Sequence, residues 1–266
     1  DLRNPGQSVT VIERDEIEQL QGADPARALN RVPGLSLSRS GGIGRVTSVN
    51  LRGASSDQVL VLIDGVRVAD QASPSGGFDF GNLLLGTAGK IDVLRGSNST
   101  IWGSEAVGGV IDISTRTDRG LSGSIEYGAR DTVFASAAAG AGNDRVFFGL
   151  TGSWYETDGF SAAASGTEAD GSQQFALGTT AFVNLTPSLE LFAHGNFAEG
   201  EVDIDGFPAP AFVLADTEDT QKTTRYWGDV GLAYYGNDLT LRAAYSRSDT
   251  ERANRNGAGA ETFASD

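Results

Sequence analysis

The stretch IDVLRGSNSTIWGSEAVGGVIDIST occupies residues 91–115 and sets the problem for the first half of the chain. Two β-type runs, IDVL and GVIDIS, bracket a Gly/Ser/Asn-rich segment with one arginine, one tryptophan and one glutamate. A loop this polar belongs in water, yet Trp102 and its apolar neighbours call for burial. The stretch needs a setting that is apolar on one side and wet on the other.

Around it, residues up to about 118 read as a compact α+β unit. VTVI (9–12) is a short strand. Asp15 and Asp24 are placed as helix N-caps, with Pro25 where a first helical residue tolerates it. ARALNRV then gives a short helix stopped by Pro33-Gly34. LSLS, VTSVNLRG, QVLVLIDGVRV, KIDVLRG and GVIDIST follow as strands, and VLVLI (59–63), apolar on both parities, is expected to be buried on both faces.

From about residue 121 the texture changes. In RVFFGLTGSWY (145–155) one parity reads Val146, Phe148, Leu150, Gly152, Trp154, and QQFALGTTAFVNL and LELFAHGNF alternate in the same way. Short turns at 142–144, 186–188 and 236–238 alternate with long polar segments at 156–172, 201–224 and from 248 onward. Aromatic pairs sit near strand ends. Half-apolar strands of about ten residues with this asymmetry suit an outer-membrane β-barrel. A soluble β-sandwich also alternates and stays open as the other reading. Roughly seven strands are legible, an open set whose edges would be unsatisfied in lipid, which points to the front part of a larger barrel.

Composition narrows the classes. With 35 acidic against 20 basic residues the net charge is −15, which disfavours nucleic acid as a partner. There is no cysteine, so disulfides and thiolate metal sites are excluded. There is no methionine either, and a processed or trimmed N-terminus is expected. No apolar run is long enough for a spanning helix. Enzyme signals are poor: His194 is the one histidine, no GxxxxGK[ST] occurs, and GGIGRVT fails GxGxxG at its last position.

Three segments in order, LNRVPGLSLSRSGG (29–42), VNLRGASSDQVLVLIDGVRV (49–68) and IDVLRGSNSTIWGSEAVGGVIDISTRT (91–117), resemble the plug domain of TonB-dependent outer-membrane receptors. The likeness within that family is to cobalamin transporters. It implies a plug over residues 1–118 and, over 119–266, the N-terminal part of a transmembrane barrel of about 22 strands. The implied function is high-affinity, TonB-energised uptake of cobalamin across the outer membrane. A receptor for a ferric siderophore or other metal chelate, and a non-transporting adhesion or phage-binding barrel, are the alternatives. No TonB box is visible near residue 1.

The resemblance carries site expectations residue by residue. Ligand contacts fall on Val46, Ser48 and Ser55, and on Ser73 and Pro74 in DQASPSGGF. Calcium, ordering the outer loops, falls on Glu168, Asp170, Asp205 and Asp216, in acidic segments that hold almost no basic residue. Ser161 stands where the family has another carboxylate, and Glu168 replaces an aspartate. Arg52 and Arg95 would be the family's arginines, with acidic partners. Glycines 103, 108 and 109 read as points of close backbone approach or positive φ. Lipid and lipopolysaccharide would surround the barrel, and TonB would engage from the inner membrane.

Overall fold

A computed structural model describes residues 8–265 other than 23, 71–75, 98, 162, 164, 165, 167 and 209. In chain order the first unit contains β1 (Ser8–Glu13), α1 (Arg14–Gln19), α2 (Pro25–Leu29), β2 (Leu35–Arg39), β3 (Thr47–Leu51), β4 (Val59–Ile63), β5 (Val66–Arg67), β6 (Ala88–Arg95), α3 (Ser99–Trp102) and β7 (Gly109–Thr115). A mixed sheet forms in the order β1-β6-β7-β4-β5, with β4 and β7 parallel, while β2 and β3 pair separately. All five residues of β4 are buried, as the unbroken apolar run requires.

The two faces of this sheet explain the opening stretch. One face carries Val61, Ile63, Ile91, Val93, Ile111 and Ile113 into the main core with Ala28 and Leu29 of α2. The other carries Leu60, Leu62, Leu94 and Val110, and Ala106 and the half-buried Trp102 fold back over them. Trp102 is therefore the lid of a second, smaller core. Gly103 takes φ 93°, and a Cβ on Gly108 would sit 2.6 Å from that of Ala54, so this polar segment closes tightly over the sheet. Asp24 caps α2, accepting the Ala26 N–H at 2.9 Å. Asp15 does not cap α1, which starts one residue earlier with Glu13 at its N-cap.

The second unit is an antiparallel sheet of β8 (Gly120–Gly128), β9 (Thr132–Gly142), β10 (Val146–Thr157), β11 (Ser172–Thr186), β12 (Leu189–Gly206), β13 (Ala215–Tyr235), β14 (Thr240–Arg255) and β15 (Glu261–Ser265). Each strand pairs with its sequence neighbours, and the sheet is open at β8 and β15. This differs from the roughly seven strands and long loops read in the sequence. β12, β13 and β14 run for 18, 21 and 16 residues, so that most of 201–224 is paired strand and only 207–214 connects β12 to β13. The polar ends lack apolar alternation because they need none; their backbone is satisfied by the ladder itself.

Side-chain direction decides between barrel and sandwich. Along β10 the exposed parity is Val146, Phe148, Leu150 and Trp154, and the buried parity includes Thr151, Ser153 and Thr157. A soluble sandwich buries its apolar parity. Here the polarity is inverted: Leu121, Ile125 and Tyr245 are 88%, 78% and 72% exposed. The outer rings of Trp154, Phe175, Phe197 and Tyr226 form a row across four strands, with successive centroids 6.4, 6.3 and 5.2 Å apart. That is the interfacial girdle of a lipid-facing wall.

The wall's inner face joins the first unit's core. Phe134, Tyr155, Ala176, Ala198 and Trp227 belong to the same buried cluster as Ile91 and Ile113. The two units share one core.

Two outcomes follow from this packing. Asp112 faces Asp92 across β6–β7, and burial, then Asp92 and Asp64, push its carboxyl up to about 6. A raised carboxyl makes the folded state hold its proton more tightly than the unfolded chain. Its stabilisation is therefore full below the usual carboxylate range and is lost as pH rises from about 4 to about 6. Thermal melts should find Asp112→Asn more stable than wild type at pH 7, by on the order of 2–3 kcal/mol, with the gap closing near pH 4. On the outer face, Leu150→Arg in the vesicle-embedded protein should cost about 2–4 kcal/mol in urea unfolding; a cost near zero would mean that no hydrocarbon covers that face.

Candidate functional site at the outer end of the plug

The polar ends of β11–β14 gather around the loops that precede β3 and follow β5. Arg45, buried just before β3, donates from Nη1 to the Asp203 carbonyl oxygen at 3.1 Å and places Nη2 3.6 Å from Asp170 Oδ2. Gln174 Nε2 donates to the Gly81 carbonyl oxygen at 3.0 Å. The segment 76–79 ties the loops together: Gly76 and Gly77 lie against Asp57 and Ser56, and the Asp79 carboxylate grips Thr47. A Cβ on Gly77 would stand 2.5 Å from the Ser56 carbonyl, which requires glycine there.

Below these loops lies a buried quartet. Asp70 and Asp79 meet Arg225 of β13 and Arg252 of β14, and no side chain of the four is more than 4% exposed. Asp70 Oδ2 accepts from Nη2 of both arginines at 2.7 Å, and Arg252 Nη2 also lies 3.0 Å from Asp79 Oδ2. Arg225 donates to the Asp79 carbonyl oxygen at 2.9 Å and lies over the Phe78 ring, 4.9 Å from its centroid. Two carboxylates and two guanidiniums balance to zero charge. Sequence reading missed this set, although arginines on the inward parity of β13 and β14, flanked by Thr223 and Trp227, are a signal in retrospect.

Of the expected ligand contacts, Val46 and Ser48 are half-buried beside Arg45, and Val46 accepts from the Ser40 N–H at 3.2 Å. Ser55 is exposed and hydrogen-bonded to the Asp57 carboxylate. Ser73 and Pro74 lie outside the described residues.

The acidic residues act as staples. Asp205 and Asp216, expected on a loop, stand instead on β12 and β13, because the strand ladder continues past the apolar band. Asp205 accepts the Ala163 N–H at 2.7 Å, Asp216 accepts the Glu168 N–H at 3.3 Å, and Asp203 accepts the Gly171 N–H at 3.0 Å. Asp170 faces Arg45. Burial first, then Asp216, Glu218, Asp170 and Asp203, hold the Glu168 carboxyl above the usual range. All-oxygen donors under mutual repulsion fit a hard cation in type and charge. Among the described residues no three of them converge with metal-ligand spacing.

Arg52 and Arg95 keep the loops together through main-chain contacts. Arg95 Nη1 donates to the Pro33 carbonyl oxygen at 3.2 Å, and Arg52, with φ 53°, donates its backbone N–H to the Gly34 carbonyl oxygen at 2.7 Å. Among the described residues neither guanidinium is ion-paired. His194 lies on the inner face, Nδ1 2.6 Å from Asp229 Oδ1.

Residues 1–110 match the model of the TonB-dependent receptor plug domain. Over 159 residues, 58% of this chain, the sequence is 37% identical to the vitamin B12 transporter BtuB of Vibrio vulnificus (strain CMCP6). The first unit is a TonB-dependent receptor plug domain by the match over residues 1–110. The chain spans a quarter, 25%, of that transporter's length. In solved structures the fold matches the siderophore receptor PiuA of Acinetobacter baumannii, with TM-score 0.70 and 20% identity over 94% of this chain and 37% of that one. It also matches the ferric yersiniabactin uptake receptor FyuA of Yersinia pestis, with TM-score 0.73 and 17% identity over 95% and 42%. TonB-dependent receptors are outer-membrane β-barrel proteins and not enzymes; the open wall described above is barrel strand, and the unit packed on its inner face is the plug.

The buried quartet sets an expectation for this receptor. Arg225→Met leaves a dry carboxylate undercompensated and should cost about 3–5 kcal/mol. Asp70→Leu combined with Arg225→Met removes both charges and should cost clearly less than Arg225→Met alone, as read from a double-mutant cycle in urea unfolding.

Proposed function

We propose that this chain is the plug-bearing part of a receptor that captures cobalamin with high affinity and takes it up across the outer membrane, energised through TonB. The observation that carries this reading is the 37% identity to a vitamin B12 transporter. Likeness to siderophore receptors runs from 15% to 21% identity and speaks for the fold alone.

In this reading the ligand settles on the plug's outward loops, at Val46, Ser48 and Ser55 and at Ser73 and Pro74. Small side chains and hydroxyls suit a bulky solute recognised by shape and scattered hydrogen bonds. Calcium belongs to the same reading. It would be held by Glu168, Asp170, Asp205 and Asp216 and, when bound, supplies the positive charge that these segments lack. Lipid and lipopolysaccharide would contact the aromatic row and the strand ends above it.

Calorimetric titration of the full-length receptor with cyanocobalamin, with and without a calcium chelator, tests the reading. We expect tight binding that weakens at least about tenfold when calcium is removed, and a smaller chelator effect in Asp216→Asn. Binding of a ferric chelate with no corrinoid binding would replace cobalamin by the siderophore alternative, and binding of neither would remove transport of both classes.

A further inference from the structure

A neutral buried quartet is a poor way to gain stability, because desolvation consumes most of what the ion pairs return. Its placement points to another role. Asp70 and Asp79 stand on either side of residues 71–75 in the sequence, and the wall arginines hold both of them. Asp79 reaches further. While Oδ2 faces Arg252, Oδ1 accepts the N–H groups of Thr47 at 2.8 Å and Gly81 at 2.9 Å. One carboxylate thus links the wall to the 45–48 segment, which carries expected ligand contacts, and to the chain at 79–81.

We propose that Asp79 is a positioning residue for ligand capture, and that Arg225 and Arg252 are the wall's half of the same device. The quartet sets the spacing between the 45–48 and 76–79 segments and fixes both against β13 and β14. Seating of the plug does not depend on it. The shared apolar core, the Gly22 N–H donating to Glu126 Oε2 at 2.7 Å and Gln174 donating to the Gly81 carbonyl all join plug to wall separately. The inference rests on the cobalamin reading for the identity of the ligand and not for the positioning itself.

The test uses full-length receptor in detergent, with amide exchange read by mass spectrometry and cyanocobalamin affinity read by calorimetry. In Arg252→Met we expect exchange over 40–50 and 76–85 to accelerate at least about tenfold. Exchange over 88–95 and 109–115 should not change. Cyanocobalamin affinity should fall at least about tenfold, and Arg252→Lys should recover most of both effects. The charge-balanced pair Asp70→Asn with Arg225→Met serves if Arg252→Met does not insert; it should loosen 76–85 while Asp79 and Arg252 still hold 40–50. Unchanged loop exchange in these variants overturns the proposal, as does acceleration that includes the sheet strands. Faster loop exchange with unaltered affinity overturns the role in capture. A wild-type receptor that does not bind cyanocobalamin sinks the cobalamin reading alone, since the exchange measurement needs no ligand.

Discussion

The constraint from which the rest follows is the inverted polarity of the β8–β15 wall. Hydrocarbon on one face takes the apolar parity of each strand, so the other parity is left with small, hydroxylated and scattered aromatic residues. A face of that composition does not close over itself. It is completed by the plug, whose isoleucine- and valine-rich sheet presses against Phe134, Tyr155 and Trp227 to make one continuous core. The plug is correspondingly incomplete without the wall. Only the small core under Trp102 belongs to the plug alone.

Where apolar contact ends, charge takes over. Towards the outer end the plug meets the wall through Arg45, which bonds to Asp203 of β12, and through Asp70 and Asp79, which bond to Arg225 of β13 and Arg252 of β14. These contacts are directional in a way that packing is not, since a carboxylate that accepts from two fixed guanidiniums has one place to sit. Apolar contact holds the plug in the wall, and the charges determine where its outer loops stand.

Much of this was legible in the residues. The run VLVLI announced a strand buried on both faces, Asp24-Pro25 announced a helix start, and the parity of RVFFGLTGSWY announced the wall. The motifs from 29 to 117 named the family before any coordinates. What stayed hidden has physical causes. Parity cannot show that strands continue after their apolar side chains stop, so Asp205 and Asp216 read as loop residues. Asp15 falls inside the first turn of α1, where an acidic residue is as much at home as at the cap, so composition does not mark the helix start. The pairing of Asp70 with Arg225 and Arg252 spans more than 150 residues, and no local spacing reveals it.

The length of β12 to β14 has an electrostatic consequence. A lipid core is crossed by about 9–11 strand residues, whereas β13 has 21; its surplus and that of β12 stand clear of the membrane and carry Glu199, Glu201, Asp203, Asp216 and Glu218. Charges held on paired backbone keep their positions, so the extended ends of these strands present a largely acidic surface, relieved at Glu199 by Lys222 at 3.0 Å. An approaching anion climbs the potential of that surface and an uncharged solute does not, a discrimination that fades over the screening length of about 8 Å at physiological salt.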